Sequence, residues 1–160
     1  MTCQLSLADP DATEALGRRL SNALPGDVAG WTILLKGELG SGKSTLARAM
    51  LRAMGHPGAV PSPTYTLVEP YELSDRNVYH IDLYRISDQE ELDYLGWSDL
   101  EDGLRIIEWP ERVPSLTSQA DVLIELAYDG PGRAASLSAC SDRGSEFLAS
   151  LAQAPTSESD

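Results

Sequence analysis

The sequence predicts an α/β fold of three layers, with a mostly parallel sheet and an antiparallel C-terminal hairpin. Three observations predict it. A nearly continuous apolar run, Trp31 to Lys36, passes straight into the glycines of Gly37 to Gly42 and then into a stretch of good helix formers. Such a run is the pattern of a strand buried on both faces. Strand, loop and helix alternate through the early part of the chain, as in a sheet covered by helices. Late in the chain two strand-like runs flank Asp129-Gly130-Pro131-Gly132, a tight reversal between antiparallel neighbours.

Each element follows in order. Gln4 to Leu7 alternates weakly and is read as an edge strand. Asp11 or Thr13 is placed to cap a helix through Leu24, because Ala12, Ala15, Leu16, Leu20 and Leu24 recur at helical spacing. Leu24-Pro25-Gly26-Asp27 ends it. Trp31 to Lys36 is the first buried strand, and the helix that opens at Lys43 runs to Met54 and stops at Gly55. Gly58 to Pro63 is a loop, followed by strand-like Tyr65 to Leu73 and Val78 to Leu83. Asp88 to Leu95 is a short acidic helix. Leu104 to Ile107 is a second buried strand, closed by Glu108-Trp109-Pro110. Asp121 to Tyr128 and Ala134 to Ala139 form the hairpin, and Arg143 to Ala152 the last helix. Residues 1–154 are read as one domain and 155–160 as a tail of disordered composition.

Composition bounds the function. The chain has 160 residues, the size of one domain, with 42% hydrophobic and 23% charged residues. Wholesale disorder and fibrous classes are excluded. No apolar run approaches the roughly 18 residues of a membrane span. The first eleven residues carry no Lys or Arg, unlike a secretory signal, so a cytoplasmic location is expected. Twenty-five acids against 12 bases leave a net charge of −13, with Lys36 and Lys43 the only lysines. Autonomous binding to nucleic acid is disfavoured by that charge. Cys3 and Cys140 match no metal-ligand spacing and read as small buried hydrophobes.

The chemistry starts at Gly37-Glu38-Leu39-Gly40-Ser41-Gly42-Lys43-Ser44, a complete G-x-x-x-x-G-K-[ST] motif. Glycines let backbone N–H groups turn inward around phosphate oxygens, the lysine reaches the outer phosphates, and the hydroxyl ligates Mg²⁺. The positive end of the following helix adds to the attraction. A chance match at this composition is roughly 0.002, and the motif also stands where the mechanism needs it, after a buried strand and before a helix. This motif makes the expected fold P-loop NTPase-like. Lys43 is expected to be exposed so that its charge meets the phosphates.

A nucleotide site next needs an acid at the end of a neighbouring strand. Asp82 and Glu108 both stand there. Neither is followed by a second acid to activate water, since Leu83 and Trp109 come next, so hydrolysis by the isolated chain is expected to be slow. Ser62-Pro63-Thr64-Tyr65-Thr66 offers hydroxyls where a γ-phosphate sensor sits, although an ordinary polar turn fits as well. His80 shares a strand face with Asp82 and is a candidate to orient it, or a satisfied structural histidine. Arg85 is a candidate charge stabiliser or a surface ion pair. Trp97 and the series Tyr65, Tyr71, Tyr79 and Tyr84 read as core and interface packing. No guanine-recognition signature occurs, which favours ATP over GTP.

Together with the loop from Gly37 to Thr45, the segments Ser62 to Tyr71, His80-Ile81-Asp82-Leu83-Tyr84-Arg85 and Glu108-Trp109-Pro110 closely resemble the bacterial TsaE (YjeE) family. The resemblance implies an ATPase that works with a TsaB and TsaD pair. Their product is threonylcarbamoyladenosine at position 37 of tRNAs reading codons that begin with A. It also implies ATP and Mg²⁺ as cofactors, contact with tRNA only through the partners, and turnover that is slow without them. Carried over residue by residue, Gly37, Glu38, Leu39, Gly40, Ser41, Gly42, Lys43, Ser44 and Thr45 would hold the phosphates. Ser44, Asp82 and Glu108 would serve the metal, and Lys43, Asp82 and Glu108 the chemistry. Thr64 and Thr66 fall in a switch-like loop, and Thr13 lies where the family contacts the base. The rival readings are a small-molecule kinase, for which no arginine-rich lid is evident, and a nucleotide-gated binding module.

Overall fold

The computed structural model describes residues 2–63, 66–73 and 75–153. The chain order is β1 (Thr2–Leu7), α1 (Pro10–Ala23), β2 (Thr32–Lys36), α2 (Lys43–Ala53), β3 (Val68–Glu72), β4 (Asn77–Asp82) and α3 (Gln89–Tyr94). It continues through β5 (Leu104–Glu108), β6 (Val122–Asp129), β7 (Gly132–Ala139) and α4 (Asp142–Gln153). Seven strands form one sheet in the order β1-β7-β6-β2-β5-β4-β3. The four inner strands β6, β2, β5 and β4 run parallel. Antiparallel pairs close both flanks: the predicted C-terminal hairpin with β1 beyond it, and a β3–β4 pair that the sequence reading leaves unpaired.

Three layers follow from burying both faces of the inner strands. On β2, Ile33 and Leu35 enter a core with Leu20, Leu46 and Met50 of α1 and α2. Leu34 points the other way, into a second core with Ile81, Ile107 and Trp97. That alternation is why β2 reads as a continuous apolar run. The second layer is thin, built from α3 and short 3-10 turns that supply Leu92 and Leu116. No helix among the described residues is long and apolar enough to cross a membrane.

Several boundaries differ from expectation, each for a local reason. α1 is capped by Asp9, whose carboxylate accepts the Ala12 N–H at 2.9 Å, instead of by Asp11 or Thr13. Pro10 sits at the first helical position, where its missing N–H costs nothing, and this fixes the start two residues earlier than a cap at Asp11 would. Thr13 is thereby drawn into the helix and buried. β3 starts at Val68, because Leu67 has a left-handed backbone (φ 70°) that interrupts a strand. Tyr65 and residues 154–160 lie outside the described residues. Cys3 and Cys140 are free thiols, half-buried where full burial was expected. Tyr71 and Trp97 are core residues as read, but Tyr84 is 39% exposed.

The packing of α1 on α2 brings Thr13 toward the glycine loop. Gly17 permits it, since a Cβ built there would lie 2.5 Å from the Ala49 Cβ of α2. Ser21 adds a bond from its hydroxyl to the Met50 carbonyl at 2.9 Å.

Candidate functional site

The glycine loop leaves the C-terminal end of β2 and enters α2 at Lys43. Gly42 is its hinge, with φ 109°, a backbone position that side chains disfavour. No side chain caps α2, so its first N–H groups and the positive end of its dipole face the loop.

Lys43 is 5% exposed, contrary to the expectation of an exposed charge. Its ammonium donates to the carbonyls of Gly37 and, at 3.3 Å, of Glu38. The Trp109 ring covers it, with the nitrogen 3.9 Å from the ring centroid. Burial lowers the pKa of Lys43 from 10.5, against the opposing pull of Glu108, Glu111 and Asp82. Trp109 reaches this position through a left-handed backbone (φ 60°) directly after β5. A bulky residue adopts that conformation at a cost of about 1–2 kcal/mol.

Asp82 and Glu108 end adjacent parallel strands and are register partners. Both are buried. The Ser44 hydroxyl lies 3.3 Å from each Glu108 oxygen, and Asp82 Oδ1 accepts the Tyr84 N–H at 2.8 Å. His80 does share the strand face of Asp82, as alternation requires. Its Nε2 contacts Glu108 Oε2 at 2.6 Å, so the acid it orients is Glu108.

Glu38, Leu39, Gly40, Gly42, Lys43 and Ser44 join Thr45, Asp82 and Glu108 around one cavity of ≈ 280 Å³. On the other side of the loop Thr13 and Thr45 meet Asp9 and Arg133 in a ≈ 150 Å³ pocket. Gly37 and buried Ser41 complete the turn beside these cavities. Thr66 is exposed and absent from the cavity lining, and Thr64 lies outside the described residues.

The structure also supplies residues that sequence reasoning missed. Tyr84 and Trp109 wall the cavity with ring centroids 5.0 Å apart. Tyr128 and Arg133 hold the loop from behind. The Tyr128 hydroxyl donates to the Leu39 carbonyl, and Arg133 donates to the Gly40 carbonyl at 3.0 Å while stacking on Tyr128. The Trp-Pro pair after a strand-end acid was a usable signal for Trp109. Nothing local marked Tyr128 or Arg133.

Chemically, the loop amides and Lys43 suit an oxyanion-rich ligand. Ser44, Asp82 and Glu108 present hard oxygen donors, which fit Mg²⁺ held by one or two carboxylates together with phosphate oxygens and water. Among the described residues no group of three or more acids, histidines or cysteines forms a closed metal cage, as that mode of binding requires none.

Comparison with known proteins gives one answer. Residues 7–135 match the family described as threonylcarbamoyl adenosine biosynthesis protein TsaE. The tRNA threonylcarbamoyladenosine biosynthesis protein TsaE of Haemophilus influenzae is 40% identical over 121 residues, covering 74% of this chain and 77% of that protein. The protein of the same description from Synechocystis is 40% identical over 119 residues, covering 71% and 73%. The crystal structure of Bacillus subtilis YdiB superposes with a TM-score of 0.75 at 21% identity, over 96% of this chain and 95% of that one, and so shares its fold. The chain belongs to the TsaE family of threonylcarbamoyl adenosine biosynthesis proteins.

Proposed function

We propose that this chain is a cytoplasmic ATPase that acts with TsaB and TsaD to form threonylcarbamoyladenosine at position 37 of tRNAs reading codons that begin with A. Residues 1–154 act as one ATPase domain, and tRNA is met only through the partners. The observation that carries this reading is the convergence of Lys43, Ser44, Asp82 and Glu108 on one cavity beside an uncapped helix N-terminus. The loop amides and Thr45 bind the phosphates, and Thr13 faces the base. Lys43 leaves its own loop's carbonyls to meet the outer phosphate. Ser44, Asp82 and Glu108 would hold Mg²⁺, whose chemistry is to neutralise charge on the β- and γ-phosphate oxygens. The Ser62 to Thr66 segment senses the γ-phosphate in a conformation that a partner surface selects, which makes turnover slow in isolation.

Phosphate release from ATP and Mg²⁺, with and without TsaB and TsaD, tests this. A low rate alone and a rate raised by the pair are expected, with Glu108→Gln and Asp82→Asn losing the Mg²⁺ dependence. Equal rates with and without partners refute the reading. Phosphate that appears only on a small-molecule acceptor would favour a kinase instead.

A further inference from the structure

His80 stands in the middle of β4, on the sheet face that carries Val78 and Asp82, and its side chain is 0% exposed. Nε2 meets Glu108 Oε2 at 2.6 Å, and buried Nδ1 has no hydrogen-bond partner among the described residues. The short contact constrains Nε2: a bare Nε2 facing an ionised carboxylate would set two lone pairs against each other at 2.6 Å. With Glu108 ionised, Nε2 therefore carries a hydrogen and donates it to the carboxylate. A buried polar ring that makes one bond, and makes it to a strand-end acid of the cavity, is costly as mere core filling.

The parallel register explains the reach. His80 pairs with Ile106 and Asp82 with Glu108, so the imidazole leans two residues along the sheet toward the C-terminal ends. Glu108 is thus held from β4 on one side and faces Ser44 of α2 on the other, with the hydroxyl equidistant from its two oxygens.

We propose that His80 is a positioning residue for the divalent cation: it immobilises Oε2 of Glu108 so that the carboxylate presents one fixed edge toward Ser44 and the metal. The inference rests on the reading of Glu108 as a metal-side carboxylate. Hydrogen-bond partners of ligating groups orient them, and their loss typically costs about 10- to 100-fold in metal affinity.

The test uses the full chain with a non-hydrolysable ATP analogue. Mg²⁺ is titrated against analogue binding for wild type, His80→Leu, His80→Gln and Glu108→Gln, and analogue affinity is measured again in EDTA. His80→Leu should raise the half-saturating Mg²⁺ about 10- to 100-fold while analogue affinity in EDTA stays within about twofold. His80→Gln carries an amide N–H to the position of Nε2 and should recover most of the loss. If Glu108→Gln shifts the titration and His80→Leu does not, the inference fails and the reading of Glu108 stands. If Glu108→Gln also leaves the titration unmoved, that reading fails and the inference falls with it. Should His80→Leu not fold, His80→Gln and ¹⁵N-detected NMR of the wild-type ring decide: a hydrogen on Nε2 supports the proposal, and a bare Nε2 overturns it.

Discussion

Replacing Gly17 by alanine adds one methyl at the tightest point of the α1–α2 crossing. The new carbon would lie 2.5 Å from the Ala49 Cβ and 3.2 Å from both the Leu46 carbonyl oxygen and the Met50 nitrogen. The first neighbour is rigid and the other two are backbone, so the helices must separate. Overpacking of this kind costs roughly 1–3 kcal/mol. Against it stands the gain of about 0.5–1 kcal/mol from removing a mid-helix glycine. The middle of those ranges leaves a loss of about 1 kcal/mol and their limits at most about 2.5, or roughly 2–4 °C in Tm and at most about 10 °C for a chain of this size. The reverse exchange supplies the control. Ala49→Gly in the same chain removes the opposing methyl, keeps one glycine and one alanine across the crossing, and should bring Tm back to within a degree or two of wild type. Differential scanning calorimetry on wild type, both single variants and the double variant reads the coupling directly. A Gly17→Ala protein as stable as wild type, or a double variant no better than Gly17→Ala, refutes the close-crossing argument.

Three further outcomes are expected. Lys43→Met should keep an unbranched side chain beneath Trp109 but lose the charge proposed to meet the phosphates. Because charge-assisted bonds contribute about 1.5–3 kcal/mol, ATP affinity by calorimetry should fall roughly 10- to 150-fold with little change in Tm. Tyr128→Phe frees the Leu39 carbonyl and should weaken ATP binding by about two- to tenfold through a looser phosphate loop, and an unchanged dissociation constant would show that the loop holds itself. Asp121 is opposed by burial, yet hydrogen bonds from Arg143, Ser141 and the Thr32 N–H, with the Arg143 charge, hold its pKa below 3.8. A depressed folded pKa stabilises above the unfolded value and is lost as pH falls through the folded one. Wild-type Tm should therefore drop below about pH 4, with Asp121→Asn lower at pH 7 and flatter across that acid window.

The stretch from Trp31 to Ala53 was legible because its chemistry is local: a run buried on both faces, glycines that only a tight turn needs, and helix formers after them. Asp82 and Glu108 were legible for the same reason, as acids at the ends of apolar strands. What escaped depends on which strands become neighbours. His80 reaches Glu108 because β4 and β5 pair in parallel with Asp82 opposite Glu108, a register that no single segment encodes. Tyr128 and Arg133 reach the loop because β6 pairs with β2 across a long crossover. The burial of Lys43 depends on the left-handed turn at Trp109, which folds a ring back over a loop more than sixty residues earlier. The cap of α1 was misread by weighing Asp11 and Thr13 without Pro10, whose preference for the first helical position points to Asp9.

The outer strand β3 bears on how the molecule avoids joining its own kind. Leu73 and Arg76 exchange backbone bonds in both directions. Tyr71 and Glu69 therefore also turn their polar groups inward to β4, and Val68, Pro70 and Glu72 turn theirs outward. Pro70 occupies the middle of that outward row and has no N–H to offer. A strand arriving at this edge would find donors at Val68 and Glu72 with a gap between them, too sparse for a continuous ladder. Growth of the sheet past β3 by simple addition is thereby weakened, and a chain that docks on this flank gains less from its backbone than from its side chains.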